Sequence, residues 1–299
     1  MLISETRREF MGDQAAGLRR TATIRPIRVI AVTSGKGGVG KTNVSVNLGA
    51  ALANEGKSVL IMDADMGLAN VDVLLGLRPS YNLSHVISGE RTLEEIILPA
   101  ARRLSIIPAS SGLKSMAELS PAQHAGIIRA FSELSQNLDV LLIDTAAGIS
   151  ESVISFSRAA QEVIVVLCDE PASITDAYAL IKLLNRDYGV HRFRILANMV
   201  QGAQEGRELY NKILKVVDRY LDATLDFMGA IPYDDYLKKA VQKQRSVVDT
   251  YPRSKSAMAF KKLAHKTDNW PVTTAAGGHL EFFVERLIQS NQLFGATQL

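Results

Sequence analysis

The chain has 299 residues, of which 47% are hydrophobic and 22% are charged. This composition is typical of a soluble globular protein, and the length suffices for one large α/β domain or two small ones. The net charge of +3 permits an acidic partner but does not indicate nucleic acid. The single cysteine, Cys168, excludes an intramolecular disulfide and a C-x-x-C metal site. No apolar run is long enough for a signal peptide or a membrane span, so we expect a cytoplasmic protein.

The chain begins with a polar, basic stretch, residues 1–25, which we expect to be a flexible segment outside the folded domain. The run IRVIAVT, residues 27–33, is apolar and β-branched without alternation, which predicts a buried strand. A glycine-rich loop follows, and then a helix that ends near Gly56. Six further apolar runs predict strands at residues 58–63, 104–109, 139–146, 162–169, 193–199 and 226–232.

Helical patterns lie between most of these strands. Strands that alternate with helices predict an α/β fold with a mostly parallel sheet of seven to eight strands, flanked by helices on both faces. We expect this domain to span residues 26–270. Residues 271–299 begin with the linker-like PVTTAAGG and continue with HLEFFVERLIQS, which has helical periodicity.

The glycine-rich loop SGKGGVGKTN fits the phosphate-binding pattern G-x-x-x-x-G-K-[ST] between a strand and a helix. Glycines let backbone N–H groups close around phosphate oxygens, and the helix N-terminus adds the positive end of its dipole. Lys41 is predicted to neutralise the phosphates, and Thr42 is predicted to bind Mg²⁺. The fold is therefore predicted to be a P-loop NTPase, with nucleotide contacts from Gly35, Gly37, Gly38, Val39, Gly40, Lys41, Thr42 and Asn43.

Carboxylates follow two of the predicted strands, where a phosphate site with Mg²⁺ needs them. Asp144 ends one apolar run and is predicted to hold the metal directly or through water. Asp63 and Asp65 end another run, and we expect one carboxylate to support the metal and the other to orient the attacking water. A turn or capping role is the alternative for Asp63.

The motifs KGGVGKT, DADMGLANVD and DTAAG, in this order, resemble those of the deviant Walker A ATPases of the MinD/ParA class over residues of about 27–270. The resemblance implies that ATP is the nucleotide and that ATP drives formation of a homodimer. It implies that Lys36 reaches across the dimer to the partner's ATP, as an arginine finger does. It implies that Asp65 positions the attacking water and that Asp63 supports the metal. A solvated lysine that only raises the local potential is the alternative for Lys36.

The resemblance also assigns residues to the base and the ribose. Four positions are implied to hold the adenine ring, where an amide can read the base edge: Asn198, Pro232, Tyr233 and Asp234. Glu170 is implied to reach the partner's ribose, and Asp176 to lie at the dimer interface. A simple strand end is the alternative for Pro232.

Within the class, the chain resembles the FlhG/FleN flagellar-number regulators. Iron–sulfur carriers, nitrogenase reductase and arsenite pumps need paired cysteines, and this chain has one cysteine. Bacterial tyrosine kinases have a tyrosine-rich tail, and this chain has no tyrosine after Trp270. These classes are therefore excluded. The stretch QHAGIIRAFSELSQNLDV and the residues after it resemble the regulators. DQAAGLRR, residues 13–20, matches their activator motif DQAxxLR through Asp13, Gln14, Ala15, Leu18 and Arg19.

This narrower resemblance implies partners. The activator motif implies the GTPase FlhF, and the group implies a flagellar transcriptional activator of the FleQ type. An N-terminal tail without this role is the alternative.

The ParA-like alternative function is an ATPase that binds DNA nonspecifically to position cargo. It would need a clustered basic surface, and residues 238–248 are the best candidate, although their charges could equally form a solvated helix face. We expect no direct contact with nucleic acid.

The C-terminal helical pattern is amphipathic. One face carries Leu280, Phe283, Val284, Leu287 and Ile288. We expect this face to bind the inner surface of the cell membrane in the ATP state, where the two anchors of a dimer act together. The segment has two acidic residues against one basic residue, so attraction to anionic lipid is poor. Packing on the chain's own domain is the alternative.

Overall fold

The computed structural model describes residues 27–65, 70–109, 120–131, 134, 137–271 and 282. Within these residues the strands are β1 (Arg28–Ser34), β2 (Val59–Ala64), β3 (Leu98–Ala101), β4 (Leu104–Ile107), β5 (Val140–Ala147), β6 (Glu162–Leu167), β7 (Arg192–Val200) and β8 (Thr224–Pro232). The helices of the same residues are α1 (Lys41–Asn54), α2 (Val71–Leu75), α3 (Leu83–Ile87), α4 (Leu93–Ile96), α5 (Pro121–Ala130), α6 (Glu151–Ala159), α7 (Pro171–Arg186), α8 (Ala203–Tyr220), α9 (Asp235–Gln242), α10 (Val247–Thr250) and α11 (Lys255–Asp268).

The strands form one eight-stranded sheet in the order β3-β4-β2-β5-β1-β6-β7-β8. Neighbouring strands are parallel except β3 and β4, which are antiparallel. The predicted α/β fold with a mostly parallel sheet is therefore confirmed. Strand β3 was not predicted, because its four residues, LPAA, are too few for a period to be read and include a proline.

The sheet is covered on both faces, which explains the continuous apolar runs of its strands. Every residue of β1, β2 and β6 is buried. One face packs against α1 and α11, through side chains such as Val46 and Phe260. The opposite face packs against α5 and α6 near one end and against α7 and α8 near the other.

Parallel pairing brings the ends of the central strands to one edge of the sheet. Asp144 on β5 is in register with Asp63 on β2 and with Val32 on β1. The glycine-rich loop leaves β1 two residues after Val32. The two carboxylates and the loop thus meet where parallel α/β sheets bind their ligands.

Several helix boundaries differ from the prediction. The pattern from residue 123 predicted a helix that the structure begins at Pro121, because Ser120 and Gln123 form a capping box. Helix α2 begins at Val71, inside the motif DADMGLANVD, for which the sequence showed no helical pattern. Helices α2, α3 and α4 have only four or five residues, which is too short for helical periodicity to be recognised.

Trp270 closes α11 at the sheet edge opposite the aspartates. Its carbonyl oxygen accepts a 2.8 Å hydrogen bond from Arg28, and the Arg194 guanidinium lies 4.5 Å from its ring centre. Arg194 also pairs with the buried carboxylate of Glu162. These contacts hold the end of α11 against the starts of β1 and β7.

Phe282 is buried on the other face of the sheet, against the rings of Phe131 and Phe156. Its backbone N–H donates to the carbonyl oxygen of Ala159. The predicted activator residues Asp13, Gln14, Leu18 and Arg19 and the predicted membrane residues Leu280, Phe283, Val284, Leu287 and Ile288 lie outside the described residues. Among the helices that the structure describes, none is long and apolar enough to cross a membrane.

Candidate functional site: a P-loop pocket at the ends of the strands

The glycine-rich loop is held by close backbone packing on two sides. A Cβ atom at Gly35 would lie 2.1 Å from the carbonyl carbon of Asp176 on α7. Gly40 has φ of +90°, and a Cβ atom there would lie 2.5 Å from the Nδ2 atom of Asn198. Both positions therefore require glycine. Asp176, predicted for the dimer interface, contributes its backbone to this packing.

The loop lines a pocket of about 670 Å³, a volume within the range of small-molecule sites. Of the predicted nucleotide contacts, Gly37, Gly38, Gly40, Lys41, Thr42 and Asn43 line it, together with Asp65. Val39 is buried rather than lining the pocket, and its carbonyl oxygen accepts a hydrogen bond from Asn198. Asn43 has a buried Oδ1 atom with no hydrogen-bond partner among the described residues, so a polar acceptor is left unused beside the pocket.

Lys41 begins α1, at the N-terminal end of the helix dipole. Burial lowers the pKa of its ammonium group, and the nearby carboxylates of Asp144 and Asp65 offset this only in part. A phosphate would supply the missing negative charge. The lysine is therefore suited to the role predicted for it.

Asp144 is buried at the end of β5, and its carboxylate has hydroxyl partners. Ser45 donates from its Oγ atom to Oδ1 at 2.8 Å, and the Thr42 side chain also bonds to this carboxylate. Burial raises the pKa of Asp144, and these hydrogen bonds lower it in part. Ser45 was not predicted, although its position four residues after Lys41 on α1 places it on the helix face next to Lys41.

Asp63 has three backbone donors. Its oxygens accept hydrogen bonds from the N–H groups of Asp65 (3.1 Å), Asn70 (2.8 Å) and Val71 (3.1 Å). Burial, followed by the charge of Asp144, raises the pKa of Asp63, and these donors oppose the shift. Asp63 therefore forms hydrogen bonds with the residues on both sides of the segment 66–69. This is the turn-forming role considered as its alternative.

The oxygen donors at this edge fit Mg²⁺. Thr42, Asp63 and Asp144 supply the hydroxyl and carboxylate oxygens that Mg²⁺ prefers. The described residues contain no cluster of three or more His, Cys, Asp or Glu side chains that could hold a metal alone. This also fits Mg²⁺, which usually takes one or two carboxylates and completes its shell with water and substrate phosphates.

Asn198, predicted to read adenine, also supports the phosphate loop. Its Nδ2 atom donates a 2.8 Å hydrogen bond to the carbonyl oxygen of Val39 and its side chain is buried.

The next residue, Met199, was missed by the sequence interpretation. It lies at an irregularity in the β7–β8 pairing and has φ of +59°, which is rare for this residue type. Its side chain is exposed and lines the pocket. A bulge that turns an apolar side chain towards a pocket is typical of functional sites.

The other predicted adenine positions follow β8. Pro232 is the last residue of the strand, and the exposed Tyr233 donates its N–H to the carbonyl oxygen of Val200. The Asp234 carboxylate caps α9 through the N–H of Tyr236 and accepts two hydrogen bonds from Ser256.

Lys36 does not point freely into solvent. Its ammonium group forms an ion pair with the carboxylate of Glu170, and this hydrogen bond raises the pKa of Lys36. Both side chains are partly exposed, so water and salt screen the pair. The two residues predicted to act on a second subunit are therefore paired with each other within one chain.

Comparisons with known proteins agree with this geometry. A family model described as "ParA: NUBPL iron-transfer P-loop NTPase" matches residues 26–268. The antiactivator FleN of Pseudomonas aeruginosa is 60% identical over 272 residues, which cover 91% of this chain and 97% of that protein. The flagellum site-determining protein YlxH of Helicobacter pylori is 34% identical over 79% of this chain and 80% of its own length.

Solved structures give the same result. MinD of Pyrococcus horikoshii, determined in complex with Mg-ADP, superposes with a TM-score of 0.67 at 26% identity and covers 81% of this chain and 96% of its own. MinD in the MinC:MinD complex of Aquifex aeolicus gives a TM-score of 0.65 at 26% identity over 83% and 98%. These matches confirm the resemblance found in the motifs. The chain belongs to the ParA family of P-loop ATPases and, within it, to the MinD-like group that contains FleN and FlhG.

Proposed function

We propose that this protein is an ATP-driven dimerising switch that regulates the number and placement of flagella. The observation that carries the proposal is the 60% identity to antiactivator FleN over 97% of that relative. An antiactivator implies an activator, so we infer a flagellar transcriptional activator of the FleQ type as one partner. The motif DQAAGLRR supports the GTPase FlhF as another.

ATP is the proposed nucleotide, and the phosphate loop provides its main contacts. Backbone N–H groups between Gly37 and Thr42 surround the phosphates, and Lys41 neutralises them. Asn198 and Met199 on β7 adjoin the loop at Val39 and Gly40, and Met199 lines the pocket, which supports them as its base-binding part. Pro232, Tyr233 and Asp234 are assigned to the base by the family resemblance alone.

Mg²⁺ is the proposed metal, and Thr42, Asp144 and Asp63 are the residues that would hold it. When bound, it neutralises charge that develops on the β and γ phosphates. The hydrogen bonds of Asp144 to Thr42 and Ser45 keep these oxygens together. Because three backbone N–H groups occupy Asp63, we assign it a supporting contact through water.

Hydrolysis also needs a positioned water molecule. We assign this task to Asp65, whose carboxylate lines the pocket close enough to Lys41 to affect its pKa. A carboxylate accepts a hydrogen bond from water and thereby fixes the direction of the attacking lone pair. Together, Lys36, Lys41 and Asp65 form the proposed catalytic set.

The ion pair of Lys36 with Glu170 suggests how ATP binding is coupled to dimerisation. In the dimer, Lys36 would exchange the Glu170 carboxylate for the phosphates of the partner's ATP. Glu170 would then be released to contact the partner's ribose. Because the pair is exposed and screened, exchanging it for a more negative phosphate costs little.

The proposed cellular location is the cytoplasm, with peripheral association at the inner face of the cell membrane in the ATP state. Leu280, Phe283, Val284, Leu287 and Ile288 are the proposed lipid-contacting residues. Their neighbour Phe282 contacts Phe131 and Phe156, so this residue itself packs on the domain. While this contact lasts, Phe282 is withheld from lipid.

Flagellar counts test the proposed function. In Pseudomonas aeruginosa cells that lack FleN, expression of this chain should restore the normal flagellar number, and the Lys41→Ala variant should not. Lys215→Ala, at an exposed lysine of α8, is the matched control and should restore it. If the wild-type chain is expressed and hydrolyses ATP but does not change flagellar number, the flagellar assignment is wrong and the ATPase assignment stands.

A further inference from the structure

Helices α9 and α10 form a basic surface that the nucleotide site does not use. Residues 235–255 carry six basic side chains, Lys238, Lys239, Lys243, Arg245, Arg253 and Lys255, and two carboxylates, Asp235 and Asp249. Asp249 accepts hydrogen bonds from Ser246 and Asn54. Among the described residues, none of the six basic side chains forms an ion pair.

This surface contains a pocket with an aromatic wall, which we call the tyrosine pocket. It has a volume of about 350 Å³ and is lined by Tyr236, Thr250, Tyr251, Pro252, Arg253 and Ser254. The two tyrosine rings lie 4.9 Å apart at 53°, so they form a wedge. Tyr236 is 49% exposed, although its ring is large and largely apolar.

Two ammonium groups lie over faces of the rings that line the tyrosine pocket. The Nζ atom of Lys239 is 5.1 Å from the centre of the Tyr236 ring, and that of Lys243 is 5.2 Å from the Tyr251 ring. The hydroxyl of Thr250 is buried beside the pocket and has no hydrogen-bond partner among the described residues. Apolar surface, unpaired ammonium groups and an unused hydroxyl are thus found together.

We propose that the tyrosine pocket is a docking site for an acidic peptide segment of a partner protein. An apolar side chain of that segment packs in the pocket against the exposed ring of Tyr236 and the adjoining ring of Tyr251. Its carboxylates pair with Lys239, Lys243 and Arg253, which gives the site charge complementarity. The volume of the tyrosine pocket, about 350 Å³, is large enough for one large side chain of a peptide.

The geometry favours a peptide over nucleic acid. Bases stack on open aromatic faces, whereas here each ring has an ammonium group over one face and the two rings are inclined to each other. The site also adjoins the nucleotide pocket, because Val241 of α9 and Gln244, two residues after that helix, line that pocket. Tyr236 and Val241 both belong to α9, so the two sites share a helix.

Fluorescence anisotropy of a short fluorescein-labelled peptide, in which glutamates flank a central Trp-Leu pair, tests the proposal with the full chain. We expect saturable binding. The double variant Lys239→Glu/Lys243→Glu should weaken it by about tenfold or more, and Tyr236→Ala should weaken it similarly. The matched controls Lys182→Glu/Lys215→Glu and Tyr220→Ala, at exposed positions of α7 and α8, should bind as the wild type does.

Three results would overturn the proposal. An equal loss in the two double variants would mean that the peptide senses only net charge. Unchanged binding by Tyr236→Ala, or by a peptide with Ser-Ser in place of Trp-Leu, would mean that the tyrosine pocket is not used. A labelled oligonucleotide that binds more tightly than the peptide, and that loses affinity in Lys239→Glu/Lys243→Glu, would make this a nucleic-acid site. Unchanged melting temperatures ensure that the variants are folded.

Discussion

At the scale of single residues, the two lysines of the phosphate loop have opposite environments. Lys41 is buried, which lowers its pKa, and it lines the pocket. Lys36 is partly exposed, and Glu170 raises its pKa. Lys41 thus lines the pocket of its own subunit, whereas Lys36 forms a partly exposed ion pair that another anion could replace.

Lys36→Ala should prevent ATP-driven dimerisation while leaving nucleotide binding intact. The phosphates still meet Lys41 and the loop backbone, but the charge that would cross to a second subunit is absent. Analytical ultracentrifugation with ATP and with ADP measures the effect, and wild-type protein should dimerise with ATP alone. Lys215→Ala, an exposed lysine of α8, should dimerise normally. A normal ATP dimer of Lys36→Ala would contradict the crossing role.

Asp65→Ala should bind ATP and remain a dimer because hydrolysis stops. Loss of a group that positions the attacking water typically lowers the rate by about 10²–10⁴-fold. Phosphate release measures the rate, and sedimentation measures the dimer. If the rate stays at the wild-type value, another residue positions the attacking water, and Asp63→Asn is then the next variant to measure.

At the scale of elements, the two ends of the chain are predicted to act independently of the phosphate loop. The N-terminal motif lies before β1, and the C-terminal helical pattern lies after Trp270, where Arg28 and Arg194 fix the end of α11. Changes in either end should therefore leave the phosphate loop intact. Each end can be tested without disturbing ATP binding.

A synthetic peptide of residues 1–25 should increase GTP turnover by FlhF. Gln14 is the residue suited to this role, because a neutral amide both donates and accepts hydrogen bonds beside a γ-phosphate. Phosphate release from FlhF with GTP is the measurement. The same peptide with Gln14→Ala should stimulate less, and equal stimulation by both peptides would remove the basis for the activator assignment.

Phe283→Glu/Leu287→Glu should release the ATP-bound protein from liposomes. Each apolar side chain that leaves the lipid loses roughly 1.5–3 kcal/mol of transfer free energy. Co-sedimentation with vesicles measures the bound fraction. Glu281→Gln/Glu285→Gln is the control at non-apolar positions of the same segment and should remain bound. If the Phe283/Leu287 variant binds as tightly as the wild type, these residues are not the membrane face.

At the scale of the whole molecule, the parallel sheet places two buried carboxylates side by side. Asp63 and Asp144 are in register on neighbouring strands, and burial raises the pKa of both. A carboxyl group with a raised pKa in the folded state binds protons more tightly there than in the unfolded chain. Its stabilising contribution is complete below the unfolded pKa of about 4 and is lost as the pH rises through the folded pKa.

Burial raises the pKa of Asp144 to about 6, so Asp144→Asn should gain stability relative to wild type as the pH rises from about 4 to about 6, in the absence of nucleotide and Mg²⁺. The variant keeps an acceptor for Ser45 but removes the charge. The melting temperatures of both proteins across this range measure the difference. Asp218→Asn, at an exposed position of α8, should show no such trend. A difference that is constant with pH would contradict the raised pKa.

Local sequence determined the central strands, the phosphate loop and the order of the carboxylates. Buried parallel strands are continuous apolar runs, so β1, β2, β5 and β6 were predictable, and glycine spacing identified the loop. Short elements were missed, because β3 and α2–α4 contain too few residues to show a period. Pocket-lining positions were best predicted where a motif fixed them, as at Lys41 and Thr42.

Only the tertiary structure decided which partners these side chains have. No local pattern could show that Lys36 pairs with Glu170, or that Asn198 donates a hydrogen bond to Val39, because each pair joins residues more than 130 positions apart. The tyrosine pocket likewise depends on how α9 packs beside α10. The sequence by itself determined a P-loop ATPase of the MinD-like group, because its chemistry resides in contiguous motifs. Hydrogen bonds and ion pairs between distant segments form only when the sheet brings those segments together.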